Sequence, residues 1–258
     1  MSAPSQQSPG VSSSSGSNKD NTNNSSRGNR SNNTKISSSS SSRSRGPRGD
    51  SPTVRLSKAL SWLLRHNAEA QGITIRADGY IKIEDVLSHP KFKGYTLADI
   101  LTVVNTNDKK RFQVLEDDHG NAEYIRAVQG HSMGKVTDIG YEEITDATQL
   151  PLVIHGTMFS KWSLIGEQGL SKMNRNHIHM AVGLPGEDGV ISGMRMRCNL
   201  YIHIDSAKAL QDGIKFYKAS NNVILSDGKG GDGIIPPLYF SQVVKSTGEV
   251  IFPKPAAS

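Results

Sequence analysis

The first 50 residues of this chain cannot form a folded core. Eighteen of them are Ser and only four are hydrophobic. Such a segment has too little apolar surface to compensate for the conformational entropy that a chain loses on ordering. We therefore expect residues 1–52 to form a disordered tail rich in Ser, Asn and Arg. The fold is expected to begin at Thr53, a residue type that favours a helix N-cap.

The charge of the chain is unevenly distributed. The 258 residues carry a formal net charge of +6, and seven Lys or Arg against two Asp fall in the first 50 residues. Residues 51–258 therefore hold 23 basic and 22 acidic side chains, a net charge of +1. A nucleic-acid site in the folded part would accordingly depend on local clusters of basic residues and not on bulk charge.

Composition also excludes several classes of protein. The sequence has no run of 18 apolar residues that could span a membrane, and its Ser-rich start lacks the apolar core of a secretory signal. Cys198 is the single cysteine, which excludes an intramolecular disulfide and a cysteine-based zinc site within one chain. We therefore expect an intracellular protein, cytoplasmic or nuclear or both, that does not contact membranes.

Residues 53–144 show helices followed by a two-stranded ribbon. Leu56, Leu60 and Leu63 recur at helical spacing. The later elements predicted here are helices at residues 84–87 and from Thr96, and hairpin strands at residues 111–115 and 123–128. Helices followed by a ribbon make a small α+β unit, and this arrangement suggests a winged-helix module.

The pattern changes to short strands from about Thr145. Apolar and β-branched runs predict strands at residues 152–155, 177–182, 199–205, 214–217 and 223–225, with short helices at residues 161–168 and 206–211. The glycine-rich segment 227–233 lacks the spacing of a nucleotide-binding loop and is interpreted as a surface loop. We therefore expect an α+β protein with a β-rich second lobe at residues 145–246 and a C-terminal tail at residues 247–258.

Three clusters of basic residues are candidates for phosphate binding. Arg65-His66 ends the first helix, Lys109-Lys110-Arg111 begins a strand, and Arg195 with Arg197 lies in a loop before another strand. An arginine guanidinium matches phosphate bidentately and stays charged, so these clusters would suit a phosphate dianion if they converged. Each cluster taken singly is also typical of a solvated surface.

The histidines are concentrated in the second lobe. His155 follows a predicted strand, and His177 and His179 alternate along another strand and so share one of its faces. Such imidazoles could bind a metal, hold a ribose hydroxyl, act as acid and base, or be structural. The sequence has no His-Glu-x-x-His pattern and no evident third ligand, so we expect no metal.

Taken together, these segments resemble the tRNA 2′-phosphotransferase family, whose members use NAD. The resemblance runs from Leu56 to about Val243. The matching stretches are Leu56-Ser57-Lys58, Leu63-Leu64-Arg65-His66, Lys110-Arg111-Phe112, Ile125-Arg126-Ala127, Gln129-Gly130-His131-Ser132, His155-Gly156-Thr157, Gly169-Leu170, Met173, Arg175, His177-Ile178-His179, Ser192-Gly193-Met194-Arg195 and Asn222-Val223-Ile224-Leu225.

The resemblance implies an enzyme with a winged-helix RNA lobe at residues 53–144 and an ADP-ribosyltransferase-like NAD lobe at residues 145–246. Such enzymes remove the 2′-phosphate that remains at the splice junction of ligated tRNA. The phosphate attacks the anomeric carbon of the nicotinamide ribose and expels nicotinamide. The ribose 2″-hydroxyl then attacks phosphorus, which releases 2′-OH RNA and ADP-ribose 1″,2″-cyclic phosphate. The implied cofactor is NAD, consumed as co-substrate. The protein is expected to be a monomer. Its implied partner is tRNA, or another RNA with an internal 2′-phosphate.

The family's essential set is an Arg-His pair with two further arginines. By motif this catalytic set falls on Arg65, His66, Arg111 and Arg195. The residues expected to bind NAD are His155, Gly156, Thr157, Gly169, Arg175, His177, His179, Gly193 and Val223. The residues expected to bind RNA are Lys58, Lys109, Lys110, Arg126, Gln129 and His131. Met196 stands where many members have a small polar residue, so a contact from that position is not carried over.

Two alternatives stay open at this point. An enzyme of the same fold could ADP-ribosylate a nucleic-acid terminus and stop after the first step. The chain could also be a non-catalytic RNA-binding protein with an inactive NAD lobe. The intact set of Arg65, His66, Arg111 and Arg195 weighs against the second alternative, because an inactive descendant would be free to lose it.

Overall fold

A computed structural model describes residues 50–187, 190–195 and 197–253 of the chain. The predicted disorder of the N-terminal tail falls on residues 1–49, which lie outside the described part, as do residues 254–258 at the other end. The fold begins slightly earlier than the sequence predicts. Ser51 caps the first helix by accepting a hydrogen bond from the Val54 backbone amide at 3.2 Å, and Pro52 takes the first helical position, so Thr53 is not the cap.

The first part of the described chain combines three helices with an antiparallel sheet. The helices are α1 (Pro52–Trp62), α2 (Ile83–Ser88) and α3 (Leu97–Thr106), and the strands are β1 (Ile81–Lys82), β2 (Phe112–Glu116) and β3 (Ala122–Ala127) in the order β1-β3-β2. A π-helical turn, Leu63–Asn67, follows α1 directly. Thr96 and Asp99 form a capping box that begins α3. The predicted helices and hairpin are therefore present.

Short antiparallel strands dominate the second part. Its elements are β4 (Glu142–Ile144), β5 (Ile154–Thr157), α4 (Trp162–Gln168), β6 (Leu170–Ser171), β7 (Ile178–Met180), β8 (Leu200–Ile204), α5 (Ser206–Gln211), β9 (Phe216–Lys218), β10 (Ile224–Ser226), β11 (Ile234–Ile235), β12 (Phe240–Lys245) and β13 (Val250–Phe252). They form sheets in the orders β4-β9-β10-β7, β13-β12-β8-β5 and β11-β6. The chain is thus an α+β protein with several antiparallel sheets, as the sequence predicts.

Strand β13 corrects the expectation for residues 247–258. Its three residues fall in the segment that the sequence assigns to a tail, yet Phe252 pairs with Val243 and Val250 pairs with Val244 of β12. Ile251 and Phe252 also pack on the second core. Three consecutive apolar residues are enough to extend the sheet, although the proline-rich end that follows hides the strand from a pattern-based reading.

Two large hydrophobic cores lie one after the other along the chain. The first contains buried residues from Leu56 to Ile139, and the second contains buried residues from Ile144 to Val243. Tyr141, between them in sequence, packs both against the first core and against a small cluster of Ala219, Val223 and Leu225. The linker between the two parts is therefore itself packed on both sides.

Strands β5 and β7 bring the two four-stranded sheets together. The Ile154 amide donates to the Ala181 carbonyl at 2.9 Å, and the Ala181 amide donates back at 2.8 Å. This bridge places the residues after Ile154 beside the end of β7 and so brings two predicted site segments into contact. Within the described part of the chain, no helix has the length and apolar character that crossing a membrane requires.

Replacing Leu60 by Ala tests the packing of α1 on the first core. Leu60 is fully buried, so we expect the L60A variant to lose about 2–5 kcal/mol of unfolding free energy through lost burial and the cavity left behind. Val54 lies on the same helix but is 42% exposed, so V54A should change stability by less than about 0.5 kcal/mol. Urea denaturation of the full chain measures both. Equal losses for the two variants would contradict this packing.

Candidate active site

Arg65 is turned toward the interior by the π-helical turn that follows α1. Its Nε and Nη2 atoms are buried and have no hydrogen-bond partner. Gly130 lies against the guanidinium, and a Cβ at that position would stand 3.4 Å from Arg65 Nε. Gly130 also has a φ of +91°, a backbone conformation that residues with a Cβ rarely adopt. Glycine at position 130 therefore leaves room for the arginine that the turn directs inward.

Four arginines interact electrostatically in this region. Burial, followed by the charges of Arg111 and Arg175, lowers the pKa of Arg65 to about 10. Burial and the charge of Arg195 lower the pKa of Arg175. Burial is the larger cause of both shifts, but the charge effects link Arg65 with Arg111 and Arg175, and Arg175 with Arg195, so the four arginines are near neighbours. The structure therefore brings the three separate predicted clusters together, with Arg175 as a fourth member.

Arg111 is held at the start of β2 by the residue that ends α3. Asn107 Oδ1 accepts hydrogen bonds from Arg111 Nη1 at 3.2 Å and from the Arg111 backbone amide at 3.3 Å. Burial lowers the pKa of Arg111, and the neighbouring Asp108 acts in the opposite direction. The guanidinium is thus oriented by a neutral amide, which leaves its charge available to a ligand.

Tight packing fixes the loop that carries Arg195. Gly193 has a φ of +107°, and a Cβ there would stand 2.8 Å from the Met180 carbonyl at the end of β7. Met194 packs on Gly156 of β5 so closely that a Cβ at Gly156 would overlap it. Lys109 Nζ donates to the Met194 carbonyl at 3.4 Å. The two glycines therefore let the loop approach β5 and β7, and Lys109 links it to the Arg111 segment.

The arginine cluster has no acidic partner in the described part of the chain. The salt bridges found there are Lys58–Asp50, Arg76–Asp78, Lys215–Glu143 and Lys245–Glu249. None of them includes Arg65, Arg111, Arg175 or Arg195. Like charges gathered without an ion pair disfavour one another, and a bound dianion would relieve that repulsion.

Histidines 155 and 179 pack against each other where β5 meets β7. His155 Nδ1 donates to the His179 carbonyl at 2.9 Å, which leaves His155 Nε2 as an acceptor. His179 Nε2 is buried and unpartnered. Burial, and then the charges of Arg175 and Arg65, hold the pKa of His179 well below its usual value. Both rings are therefore suited to hydrogen bonding as neutral groups.

His66 is oriented by Ser132. His66 Nδ1 and Ser132 Oγ share a hydrogen bond of 2.9 Å, and the Ser132 amide donates to the Arg65 carbonyl at 2.9 Å. Burial, followed by the charges of Arg65 and Arg175, lowers the pKa of His66. One residue thus ties both members of the Arg65-His66 pair to the segment that contains Gly130.

Several other predicted site residues border this cluster. The carbonyls of Lys109 and Lys110 accept hydrogen bonds from Asn221 Nδ2 at 3.2 and 3.4 Å, next to Val223. Gln129 and His131 are buried beside Gly130. Thr157 follows Gly156 on β5, and its carbonyl accepts from the Asn199 amide at 3.0 Å.

Other predicted residues make contacts within the fold. Lys58 is exposed on α1 and pairs with Asp50 at 2.6 Å. Arg126 donates to Gln113 Oε1 and to the carbonyls of Asp78 and Ile139. Gly169 ends α4 with a φ of +90° and lies against the Ile235 carbonyl, and Val223 is fully buried in the cluster under Tyr141. Met196 lies outside the described residues.

The sequence reasoning overlooked residues that hold the cluster in place. Ser132 and Gly130 belong to a stretch that carries the resemblance, but no local pattern indicates their contacts, and Asn107 directly follows a predicted helix. Asn221 gives no local signal, because its partners lie 111 and 112 residues away. Within the part that the structure describes, no group of three or more His, Cys, Asp or Glu could hold a metal ion.

The fold and the site define an α+β protein in which an arginine cluster without a salt bridge in the described residues lies beside buried histidines, an arrangement that suits a phosphorylated ligand. The comparison with known proteins makes the class specific. The sequence model described as RNA 2′-phosphotransferase, Tpt1 / KptA family matches residues 51–228, and the chain belongs to this family. The resemblance drawn from the sequence is thereby confirmed.

Named relatives agree with this assignment. The chain is 50% identical over 205 residues to a "Putative tRNA 2′-phosphotransferase" of Schizosaccharomyces pombe, covering 80% of this chain and 54% of that protein. It is 45% identical over 206 residues to "tRNA 2′-phosphotransferase 1" of Danio rerio, covering 77% and 91%. It is 42% identical over 184 residues to the "tRNA 2′-phosphotransferase" of Saccharomyces cerevisiae, covering 69% and 80%. The chain thus spans about half of the S. pombe protein.

The burial of His131 predicts a loss of stability at mildly acidic pH. Burial, then the charges of Arg65 and His66, lowers the pKa of His131 to about 3. Below pH 6.5 the unfolded chain therefore binds a proton at this residue that the folded chain does not bind. Between pH 6.5 and 5 this difference should remove ~2 kcal/mol of unfolding free energy.

Urea denaturation at the two pH values measures this effect in three proteins. The H131N variant should lose less stability than wild type over the same interval, whatever its stability at pH 7. An H119N variant changes an exposed turn histidine and should keep the wild-type pH dependence. An unaltered dependence in H131N would show that this residue is not the neutral buried group.

Proposed function

We propose that the protein removes the splice-junction 2′-phosphate from ligated tRNA in an NAD-dependent reaction. The products are 2′-OH RNA, nicotinamide and ADP-ribose 1″,2″-cyclic phosphate. The observation that carries this proposal is the convergence of Arg65, Arg111, Arg175 and Arg195 without an acidic partner in the described part of the chain. Family membership supports the reaction type.

The two parts of the fold suit two substrates. We assign residues 53–144 to a winged-helix RNA lobe, a proposal supported by three helices followed by a small antiparallel sheet. We assign residues 145–246 to an ADP-ribosyltransferase-like NAD lobe. The bridge between β5 and β7 supports this second assignment, because it joins two sheets beside the histidines proposed to bind the cofactor.

Arg65, Arg111 and Arg195 are the proposed catalytic arginines. The nucleophile is itself an anion, so catalysis requires that its phosphate be positioned and its charge stabilised. Guanidinium groups that already lie together can hold the phosphate without moving, and the same cations would stabilise the charge that builds on phosphoryl oxygens in the second step. The neutral Asn107 orients Arg111 in a way consistent with that role.

His66 is proposed to contact the phosphate. Its Nδ1 atom is engaged with Ser132, so Nε2 is the atom available to a ligand. The lowered pKa of His66 favours the neutral ring. A neutral imidazole can donate a hydrogen bond to a phosphate oxygen or accept the proton of the ribose 2″-hydroxyl, and we rank the phosphate contact first.

The residues around β5 and β7 fit NAD. The buried Nε2 of His179 has no partner in the protein, and Nε2 of His155 is left as an acceptor, so two ring nitrogens can meet ribose hydroxyls. Arg175 can meet the diphosphate. When bound, NAD supplies the anomeric carbon to which the phosphate is transferred and from which nicotinamide departs. The other residues proposed to line this site are Gly156, Thr157, Gly169, His177, Gly193 and Val223.

Basic side chains outside the arginine cluster are proposed to contact RNA. Lys109, Lys110, Gln129 and His131 border the cluster from the first part of the fold. Lys58 lies on an exposed pocket of α1 with Arg55, Trp62, Lys91 and Tyr95, and Lys91 Nζ stands 4.7 Å from the Trp62 ring centroid. A cationic surface with an aromatic ring suits the backbone and bases of an RNA strand. Arg126 belongs to the same proposed set, and its hydrogen bonds to Gln113, Asp78 and Ile139 hold the first part of the fold together.

Incubation of the purified full chain with a short RNA that carries one internal 2′-phosphate tests the proposed function. The reaction is run with and without NAD and without added metal, and both RNA and NAD products are followed. NAD-dependent loss of the phosphate with appearance of the cyclic phosphate is the expected result. An accumulating ADP-ribose adduct on the RNA would instead identify an ADP-ribosyltransferase, and an unchanged RNA with intact NAD would identify a binding protein.

Arg195 and Arg197 provide a matched pair of substitutions. Both side chains are exposed, but only Arg195 influences the pKa of Arg175. We expect R195A to lower kcat for phosphate removal by about 10²–10³-fold, because the variant lacks a cation that would stabilise the negative charge developing on the phosphate. R197A should keep nearly wild-type kcat. The reverse order of the two effects would overturn the choice of Arg195 as the catalytic residue.

A further inference from the structure

A cavity of about 260 Å³ lies next to the arginine cluster, and of its lining residues only His131 and His177 have a role in the function proposed above. It is bounded on one side by the segment that runs from His131 to Tyr141 and on the other by His177 and Tyr217. Asp138 contributes to its rim. Cavities that hold drug-sized ligands measure about 300–1,000 Å³, so this one suits a single ring-sized group.

Aromatic rings form one wall of the cavity. The His177 ring lies edge-on to Tyr141, with centroids 5.5 Å apart, and edge-on to Tyr217, with centroids 5.9 Å apart. The three rings thus fix one another's orientation. Planar aromatic groups next to a cavity provide stacking surface for another planar ring, which is how proteins hold unstacked RNA bases.

His131 is a further residue of the cavity lining. Its side chain is 2% exposed, and neither ring nitrogen has a partner in the structure. The Asn176 amide donates to the His131 carbonyl at 2.9 Å, which fixes the backbone at this position. Both ring nitrogens are enclosed by protein, and a Cβ on Gly79 would stand 3.4 Å from Nε2, so His131 gives the cavity a fixed ring surface.

The position of the cavity identifies which substrate it faces. His155 contacts the His179 carbonyl in the middle of β7, and the cavity is bounded by His177, which directly precedes that strand. On the other side, His131 directly follows Gly130, which lies against the Arg65 guanidinium. The cavity therefore adjoins the proposed phosphate site, and His177 is the one lining residue that it shares with the set proposed to hold NAD.

We propose that this cavity binds the nucleobase of the RNA nucleotide that carries the 2′-phosphate. The proposal rests on the proposed function, since it takes that RNA as the substrate. The base would lie against the ring of Tyr217 while its own 2′-phosphate meets Arg65. Stacking on an aromatic ring is possible for every base. The cavity would therefore require a base without selecting strongly among the four.

The test compares two short RNAs that share the same internal 2′-phosphate. One has a base on the phosphorylated nucleotide and the other is abasic at that nucleotide. With saturating NAD, wild-type protein should show about 10-fold lower kcat/KM for the abasic RNA, chiefly through KM, because one stacked base is lost. Removal of a base from a neighbouring nucleotide should have little effect.

Two variants test whether this preference for a base arises in the cavity. Y217L removes a ring of the wall, and T137F fills the cavity from its exposed rim. Each should lower kcat/KM for the base-containing RNA to the value for the abasic RNA and leave the abasic value unchanged. Y124L is the matched control, because Tyr124 lies on β3 away from the cavity and should keep the wild-type preference.

Four outcomes would overturn the proposal. Equal losses on both RNAs in both cavity variants would indicate a structural role for Tyr217 and Thr137. A base preference that survives both variants would place the base elsewhere, and a larger effect of the neighbouring base would assign the cavity to a different nucleotide. A raised KM for NAD with the base preference intact would assign the cavity to the adenine of NAD.

Direct binding separates a failure of this proposal from a failure of the proposed function. If wild-type protein does not turn over either RNA, the proposed reaction is wrong, and fluorescence anisotropy with the same two labelled RNAs still tests the cavity. Weaker binding of the abasic RNA to wild type, but not to Y217L, would support the base site in a protein that only binds RNA. Equal binding of both RNAs by wild type would overturn it.

Discussion

The rest of the structure depends on a repulsive constraint: several arginines lie close together, and none of them forms a salt bridge in the part of the chain that the structure describes. Burial and the neighbouring cations lower the pKa of Arg65 to about 10, which shows that the folded state holds a charge where it is disfavoured. A bound phosphate turns this repulsion into attraction. Groups that are fixed before the ligand arrives need not reorganise during the reaction, which is the main advantage of a preorganised site.

The fold positions three of these cations, Arg65, Arg111 and Arg195, through contacts with uncharged groups. A missing side chain at Gly130 makes room for Arg65, an amide at Asn107 orients Arg111, and the close approach of Gly193 to β7 fixes the loop of Arg195. None of these contacts neutralises charge. Acidic partners in the same positions would have made the cluster more stable and would have competed with a phosphate for the arginines.

The sequence predicted the elements better than it predicted their contacts. Helix α5 has the bounds that the pattern indicates, and the hairpin of β2 and β3 forms where the Asp-His-Gly-Asn turn requires it, because both depend on local periodicity. Strand β13 was missed because three residues next to a proline-rich end give a weak pattern. The arginines could be identified as candidates by residue type, but their convergence depends on contacts such as that between Ser132 and His66, which are 66 residues apart. No local pattern encodes such distances.

The packing of Tyr141 has a consequence for how the two parts behave together. Its side chain contacts the first core on one side and the small cluster around Val223 on the other, so neither part can loosen without disturbing the other. Arg65 and Arg111 come from one part, and Arg175 and Arg195 come from the other. The packing of Tyr141 therefore couples the two parts that supply the four cations, so a substitution that loosens one part should also disturb the arginines of the other.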